Sequence, residues 1–367
     1  MAPRAKMRYT RERSRAGPDA PRGERAAGKD FMDAQNQKPR IAVIGCGAWG
    51  RNIARCFSSL GVLEAVVDPN RQTVESLTAL FGCRGATLDE VLADPGIGAL
   101  AIATPPSLHR EVAEAALAAG KHVYVEKPLT LNHPDALAVV EAARGADRIL
   151  MTGHILQFHN GFRALKQLVA SGRLGEVKRI HANRLNLGAV RKEEDALWCL
   201  APHDVSMVLA LMGGSPESVE AFGEGHLRKD TADAVTMRLG FAGGPQAMIH
   251  VSWLHPFKEH RLSVIGSQAM AVFDDCLPWD KKVQIYPHQV SLDGGSPTVV
   301  RADPVPVAIE QAEPLLAECA HFLECCITGA EPITGATEAL AVMDVLHRAA
   351  GSMIDHQAHP APARASA

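Results

Sequence analysis

The stretch Val43-Ile-Gly-Cys-Gly-Ala-Trp-Gly-Arg-Asn52 runs from an apolar segment into a turn that carries three glycines, Gly45, Gly47 and Gly50. It is a GxGxxG pattern between a strand-like run, "RIAVIGCG" (40–47), and a helix-like run, "GRNIARCFSSLG" (50–61). Such a loop has two readings. Either it cradles a pyrophosphate on backbone N–H groups at a helix N-terminus, or it is a tight turn that needs small residues. Asp68 favours the first. It ends the next apolar run, "LEAVVDPN" (63–70), about 20 residues on, where an acid receives the ribose hydroxyls of NAD and repels the 2′-phosphate of NADP.

The alternation continues outward from this unit. Helix-like "RQTVESLTALFG" and "SLHREVAEAALAAG" alternate with strand-like "IGALAIATPP", "KHVYVEKPLT" and "RILMTGH" up to about residue 154. Continuous apolar strands separated by helices predict a parallel sheet covered on both faces. Beyond residue 155 the rhythm changes to many strands with few helices: "VKRIHANRLNL", "SVEAFGEG", "AVTMRLGF", "QAMIHVSWL", "RLSVIGS", "MAVFDD" and "KVQIYP". This predicts a large, mostly antiparallel open sheet, with "PHDVSMVLALMGG" as an inserted helix starting at a proline. Two C-terminal helices either cover that sheet or return to the first domain. The expected division is 1–38 disordered tail, 39–154 dinucleotide-binding domain with the parallel sheet, 155–356 the open-sheet domain, to which the resemblance given below assigns substrate binding and oligomerisation, and 357–367 a second disordered tail. The first tail is rich in Arg, Gly and Pro and too poor in apolar residues to fold.

Composition narrows the function. The chain has 367 residues, enough for two domains, and a formal net charge of −3, which builds no field for a polyanion. No apolar run reaches the length of a membrane-crossing helix. The eight cysteines form no CxxC pair or other metal spacing and read as reduced thiols, so the expectation is a cytoplasmic protein that binds neither metal, nucleic acid nor membrane.

Three further stretches carry candidate chemistry. "ATPPSLH" (103–109) ends a strand at the edge where such sheets bind ligands; it is either a rim against the cofactor, through Thr104 and Pro105, or a plain loop. "VEKP" (125–128) ends the next strand, and Lys127 beside Glu126 is either a tuned acid–base group or a solvent-facing pair. "LWCLAPHDVSM" (197–207) offers His203 as a base and Asp204 beside it. "RLNLGAVRKEED" (184–195) is either an anion-binding loop, through Arg184 and Arg191, or a solvated one.

Together, GCGAWG, Asp68, TPPSLH and EKP resemble the Gfo/Idh/MocA oxidoreductases over residues 39 to about 355. The resemblance implies an N-terminal Rossmann domain that binds NAD, and a C-terminal α/β domain that binds a sugar or polyol and forms a homodimer or homotetramer. It implies catalytic roles for Lys127 and His203. It implies cofactor contacts at Gly45, Gly47, Ala48, Trp49, Gly50, Asp68, Thr104, Pro105, His109, Glu126 and Lys127, and substrate contacts at Arg184, Asn186, Arg191, Trp198 and Asp204. One departure stands out: many relatives place an Asp four residues before the histidine, and here that residue is Cys199. The stretches 153–168, 183–207 and 251–275 resemble a subgroup of nucleotide-sugar metabolism, the UDP-N-acetylglucosamine 3-dehydrogenases and their uronate counterparts. The implied reaction is NAD-dependent oxidation at C3 of a UDP-N-acetyl-hexosamine or its uronate, on the way to lipopolysaccharide precursors. The alternatives are a free polyol such as myo-inositol as substrate, and a catalytically inactive dinucleotide-binding protein.

Overall fold

The computed structural model describes residues 38–358 apart from 189, 192–193 and 294. Nearly all of the two expected terminal tails lies outside the described residues. The first half contains β1 (Arg40–Ile44), α1 (Ala48–Ser59), β2 (Leu63–Val67), α2 (Arg71–Phe81), β3 (Arg84–Gly85), α3 (Leu88–Ala93), β4 (Ile97–Ile102), α4 (His109–Ala118), β5 (His122–Glu126), α5 (His133–Ala146) and β6 (Leu150–Gly153). The six strands form one parallel sheet in the order β3-β2-β1-β4-β5-β6. Its central strands β1 and β4 are buried almost throughout, which is why they read as unbroken apolar runs. The strand order reverses between β1 and β4, so the crevice beyond their carboxyl ends is where this architecture receives a ligand.

The second half opens with α6 (Asn160–Ala170) and β7 (Val177–Leu187), followed by α7 (Ala196–Met212). Strands β8 (Ser218–Glu224), β9 (Ala234–Gly240), β10 (Gln246–Ser252), β11 (Leu254–Gly266), β12 (Met270–Asp274) and β13 (Val283–Tyr286) come next. A hairpin, β14 (Gln289–Asp293) and β15 (Ser296–Val300), precedes the two-residue strand β16 (Val305–Pro306). The eight-stranded sheet has the order β16-β13-β12-β11-β7-β10-β9-β8. Its pairs are antiparallel except β7 with β10, so it is mostly antiparallel, as the pattern predicts.

The final helices are α8 (Pro314–Thr328) and α9 (Ala336–Ala358). They take one role each of the two expected. Helix α9 packs on β8 and α7, over the second sheet. Helix α8 returns to the first domain, where Leu315, Cys319, Phe322 and Leu323 share a core with Ile41, Val43, Ile53 and Phe57. Phe322 meets Phe57 and Tyr124 edge-on, with ring centroids 6.4 and 5.9 Å away. Helix α9 runs to Ala358, two residues into the stretch read as a tail.

One helix starts earlier than the sequence suggests. Pro202 lies inside α7, not at its start. Asp195 is the N-cap, its carboxylate accepting from the Trp198 N–H at 3.1 Å. Capping by Asp195 outweighs the helix-breaking tendency of a proline seven residues further on. Pro202 has no N–H to offer the carbonyl of Trp198, so the helical ladder is open there. All eight cysteines are free thiols, five of them buried.

Candidate active site

The three glycines of the first loop are small for different reasons. Gly45 has φ +86°, and a Cβ there would come within 2.7 Å of the backbone of Ala103 and Thr104. At Gly50 a Cβ would stand 1.9 Å from the Gly45 carbonyl oxygen, so this glycine lets helix and strand touch. At Gly47, however, a Cβ would meet nothing within 4 Å. The protein's own packing does not demand a glycine at 47. A ligand drawn up against the backbone does. Gly47 is also the N-cap of α1 and supplies no side-chain cap, and the first turn holds no acid, whereas α2 is capped by Asn70 and α3 by Thr87. The exposed Gly47, Ala48 and Trp49 thus present uncapped N–H groups at the positive end of a twelve-residue helix.

Asp68 lies against this loop. Its carboxylate accepts from the Cys46 N–H at 2.7 Å and the Asn70 N–H at 2.8 Å, which fixes it at the end of β2. The Thr104 hydroxyl, past the end of β4, is buried with no hydrogen-bond partner among the described residues. A glycine that packing does not require, a helix end without a side-chain cap, a fixed acid and an orphaned hydroxyl all fit a dinucleotide. Pro105 is exposed on the rim. His109 is not: it is 1% exposed, and its ring nitrogens lie 2.9 Å from the Pro128 carbonyl and 3.0 Å from that of Thr104. It ties the ends of β4 and β5 together behind the rim.

Lys127 follows β5 on the same edge, and the peptide bond to Pro128 is cis. Its ammonium donates to the backbone carbonyl of Cys199 at 2.8 Å. The position where relatives carry an acid therefore still meets the lysine, through its main chain. One turn along α7 is His203. Its Nδ1 is buried without a partner among the described residues. Burial holds the imidazole well below the ordinary histidine range, and the neighbouring charges of Lys127 and Arg184 push the same way. Lys127 and His203 are thus brought together at the carboxyl edge of the first sheet, with His203 neutral and able to accept a proton.

The expected substrate residues are distributed differently. Arg184 on β7 is 6% exposed, and its Nε donates to Asp204 Oδ2 at 2.5 Å. A second bond runs from its Nη2 to Oδ1 at 3.3 Å. This pair is internal: Arg184 offers no free fork to an anion, and Asp204 is not available in place of the acid absent at 199. Breaking such a buried pair costs about 3–5 kcal/mol. Asn186, two residues along β7 and so on the same face as Arg184, has a buried Oδ1 without a partner among the described residues. Arg191 is exposed, beside the undescribed residues, and its carbonyl accepts from Arg228 at 2.8 Å. Trp198 is half-buried and packs against the main core.

Two histidines that the sequence reading does not single out lie beside His203. His260 on β11 sits 3.4 Å from the Arg184 guanidinium and has an unpartnered Nε2. His154, just past β6, is 2% exposed, and its Nδ1 lies 2.7 Å from the Glu338 carboxylate of α9. Ser206 donates to the same carboxylate at 2.5 Å. The signal for His154 was its place at the carboxyl end of a parallel strand. Glu338 carried none, because it lies 184 residues further along the chain. Among the described residues, no group of three or more His, Cys, Asp and Glu could hold a metal ion.

Comparison with known proteins gives the family. Residues 39–154 match the oxidoreductase family model with an NAD-binding Rossmann fold, and residues 162–272 match the GFO/IDH/MocA C-terminal domain. The chain belongs to the Gfo/Idh/MocA family. Among Gfo/Idh/MocA proteins, the UDP-N-acetylglucosamine 3-dehydrogenase of Acidithiobacillus ferrooxidans is 30% identical over 237 residues, 64% of this chain and 74% of its own length. A solved structure of that enzyme superposes with a TM-score of 0.75, covering 85% of this chain and 96% of the other at 27% identity. The myo-inositol 2-dehydrogenase of Thermotoga maritima is 28% identical over 259 residues, 67% of this chain and 72% of its own length. The protein is therefore an oxidoreductase with an NAD-binding domain. Among the described residues, no helix is long and apolar enough to cross a membrane.

Proposed function

We propose that this protein is an NAD-dependent dehydrogenase of a sugar hydroxyl, and that its substrate is a UDP-N-acetyl-hexosamine or the corresponding uronate, oxidised at C3. The observation that carries the reaction class is the meeting of Lys127 with a buried, neutral His203 at the mouth of the dinucleotide crevice. Bound NAD supplies the hydride acceptor. The rest falls to the chain. His203 takes the hydroxyl proton on its imidazole. Lys127, held by the Cys199 carbonyl, donates to the same oxygen and stabilises the charge that develops on it. The orphaned polar atoms of Thr104, Asn186 and His260 stand ready to bind cofactor and substrate.

The nucleotide-sugar assignment rests on the similarity to the A. ferrooxidans enzyme. A second reading, a neutral polyol, is favoured by one observation: Arg184 is locked to Asp204, which leaves exposed Arg191 as the one remaining expected anion contact. NADH formation with a panel of UDP-sugars and free polyols separates the two. Turnover confined to UDP-N-acetyl-hexosamines supports the first reading, and turnover confined to polyols replaces it with the second. The reading places the enzyme in the cytoplasm as a homo-oligomer, in which partners cover apolar side chains of the second sheet such as Phe257, 60% exposed.

The depressed proton affinity of His203 has a direct consequence. A base must be unprotonated to act, and this imidazole stays neutral to lower pH than an ordinary histidine. The acidic limb of kcat/KM is thus expected below the usual histidine value of ~6.5. Rates of NADH formation across pH give the answer. A limb above that value rules out His203 as the titrating base.

A further inference from the structure

A buried chain of polar groups runs behind the cofactor edge. The indole Nε1 of Trp49, from the glycine loop, donates to Glu126 Oε1 at 2.6 Å. The Lys127 N–H donates to Glu126 Oε2 at 3.2 Å. The hydroxyl of Tyr124 lies 2.9 Å from Glu126 Oε1 and 3.0 Å from Glu318 Oε2. Glu318 projects from α8, is fully buried, and has no partner for its other oxygen among the described residues.

Counting hydrogens assigns the charges. The Tyr124 hydroxyl has one proton and two carboxyl neighbours, so it donates to one and accepts from the other. The one from which it accepts must carry a proton. Glu126 has three donors around it, Trp49, Lys127 N–H and Tyr124, which is the environment of an anion. Glu318 has one contact and no exposure, and an unprotonated carboxylate there would be stranded in the core. We infer that Glu318 is a neutral carboxylic acid whose O–H donates to the Tyr124 oxygen and so orients that hydroxyl toward Glu126, and that Glu318 is thereby a positioning residue for the Trp49–Glu126–Lys127 edge that receives NAD.

The electrostatics agree. Burial raises both carboxyls. At Glu126 the three donors and the Lys127 charge oppose the rise, whereas at Glu318 the Glu126 charge adds to it. The titratable groups facing Glu318 are Tyr124 and Glu126 from β5, Cys56 from α1, Glu338 from α9 and its own neighbour Cys319. The inference rests on reading Trp49, Glu126 and Lys127 as the cofactor-facing edge. Its stability arm does not depend on that reading.

Four variants of the full chain test it: Glu318→Gln, Glu318→Leu, Glu126→Gln and Tyr124→Phe. The readouts are NAD affinity by calorimetry and thermal stability across pH 5–9. Glu318→Gln keeps a neutral donor, so NAD affinity is expected within about threefold of the parent. Glu318→Leu and Tyr124→Phe break the chain and are expected to weaken NAD about tenfold. Equal affinities for the Gln and Leu variants overturn the positioning role, and if Glu318→Leu does not fold, Tyr124→Phe decides the same point. In the stability arm, a carboxyl with a raised folded-state pKa stabilises fully below the unfolded value of ~4.3 and less and less as pH rises toward the folded value. The parent should therefore lose stability toward alkaline pH in a way that Glu318→Gln does not. If Glu126→Gln, and not Glu318→Gln, removes that slope, the proton sits on Glu126 and the assignment is wrong.

Discussion

Substituting Lys127 by Met is expected to lower turnover by about 10²–10⁴-fold while leaving NAD affinity near the parent value. Methionine keeps most of the stem's volume, so the change isolates the ammonium. In the proposed chemistry that group does two things. It donates to the substrate oxygen as the hydroxyl loses its proton, and through the Cys199 carbonyl it links the end of β5 to α7, fixing Lys127 against His203. The donation is worth more as charge builds on the oxygen than in the ground state, so the loss should appear in kcat more than in KM. Stopped-flow NADH formation together with NAD calorimetry separates the effects. Turnover within threefold of the parent removes Lys127 from the chemistry, and a parallel loss of NAD binding shows that its ammonium, and not only its backbone, holds the cofactor.

Gly47→Val and Gly50→Ala are expected to fail in opposite ways. At Gly47 there is open space for the new side chain, so the protein should melt within a few degrees of the parent. The same side chain would stand where the pyrophosphate approaches the backbone, and a loss of about 100-fold in NAD affinity, roughly 2.7 kcal/mol, is the expected result. At Gly50 a methyl would overlap the Gly45 carbonyl, and the turn must move to admit it. That substitution should cost about 1–3 kcal/mol or more in stability. Melting curves and NAD titrations of the two proteins, run side by side, check the contrast. If Gly47→Val binds NAD as the parent does, the loop is merely a tight turn and the cofactor lies elsewhere.

The parts of this molecule legible in the sequence are those written in adjacent residues. The strand–turn–helix of the first loop, the buried parallel strands and the change after residue 155 to many strands with few helices each depend on local pattern, and the structure has them. What escaped depended on pairing across the chain. Arg184 and Asp204 each looked available to a substrate, because nothing local shows that 20 residues of intervening chain fold so as to bury one against the other. Glu318 and Glu338, in the last two helices, carry no local signal, and only the return of α8 to the first domain and the contact of α9 with His154 give them partners. Pro202 misled because proline most often opens a helix, and the cap that actually opens α7 is an aspartate seven residues earlier.

The lysine's partner on α7 is a main-chain oxygen, and this changes how position 199 constrains evolution. A carboxylate ligand confines the position to aspartate or glutamate. A carbonyl ligand is supplied by any amino acid that leaves the helix path intact, so the anchor for Lys127 is inherited with the backbone and is invisible to an alignment of side chains. Exchange of the side chain at 199 therefore need not release Lys127, and a cysteine there is no mark of an inactive enzyme.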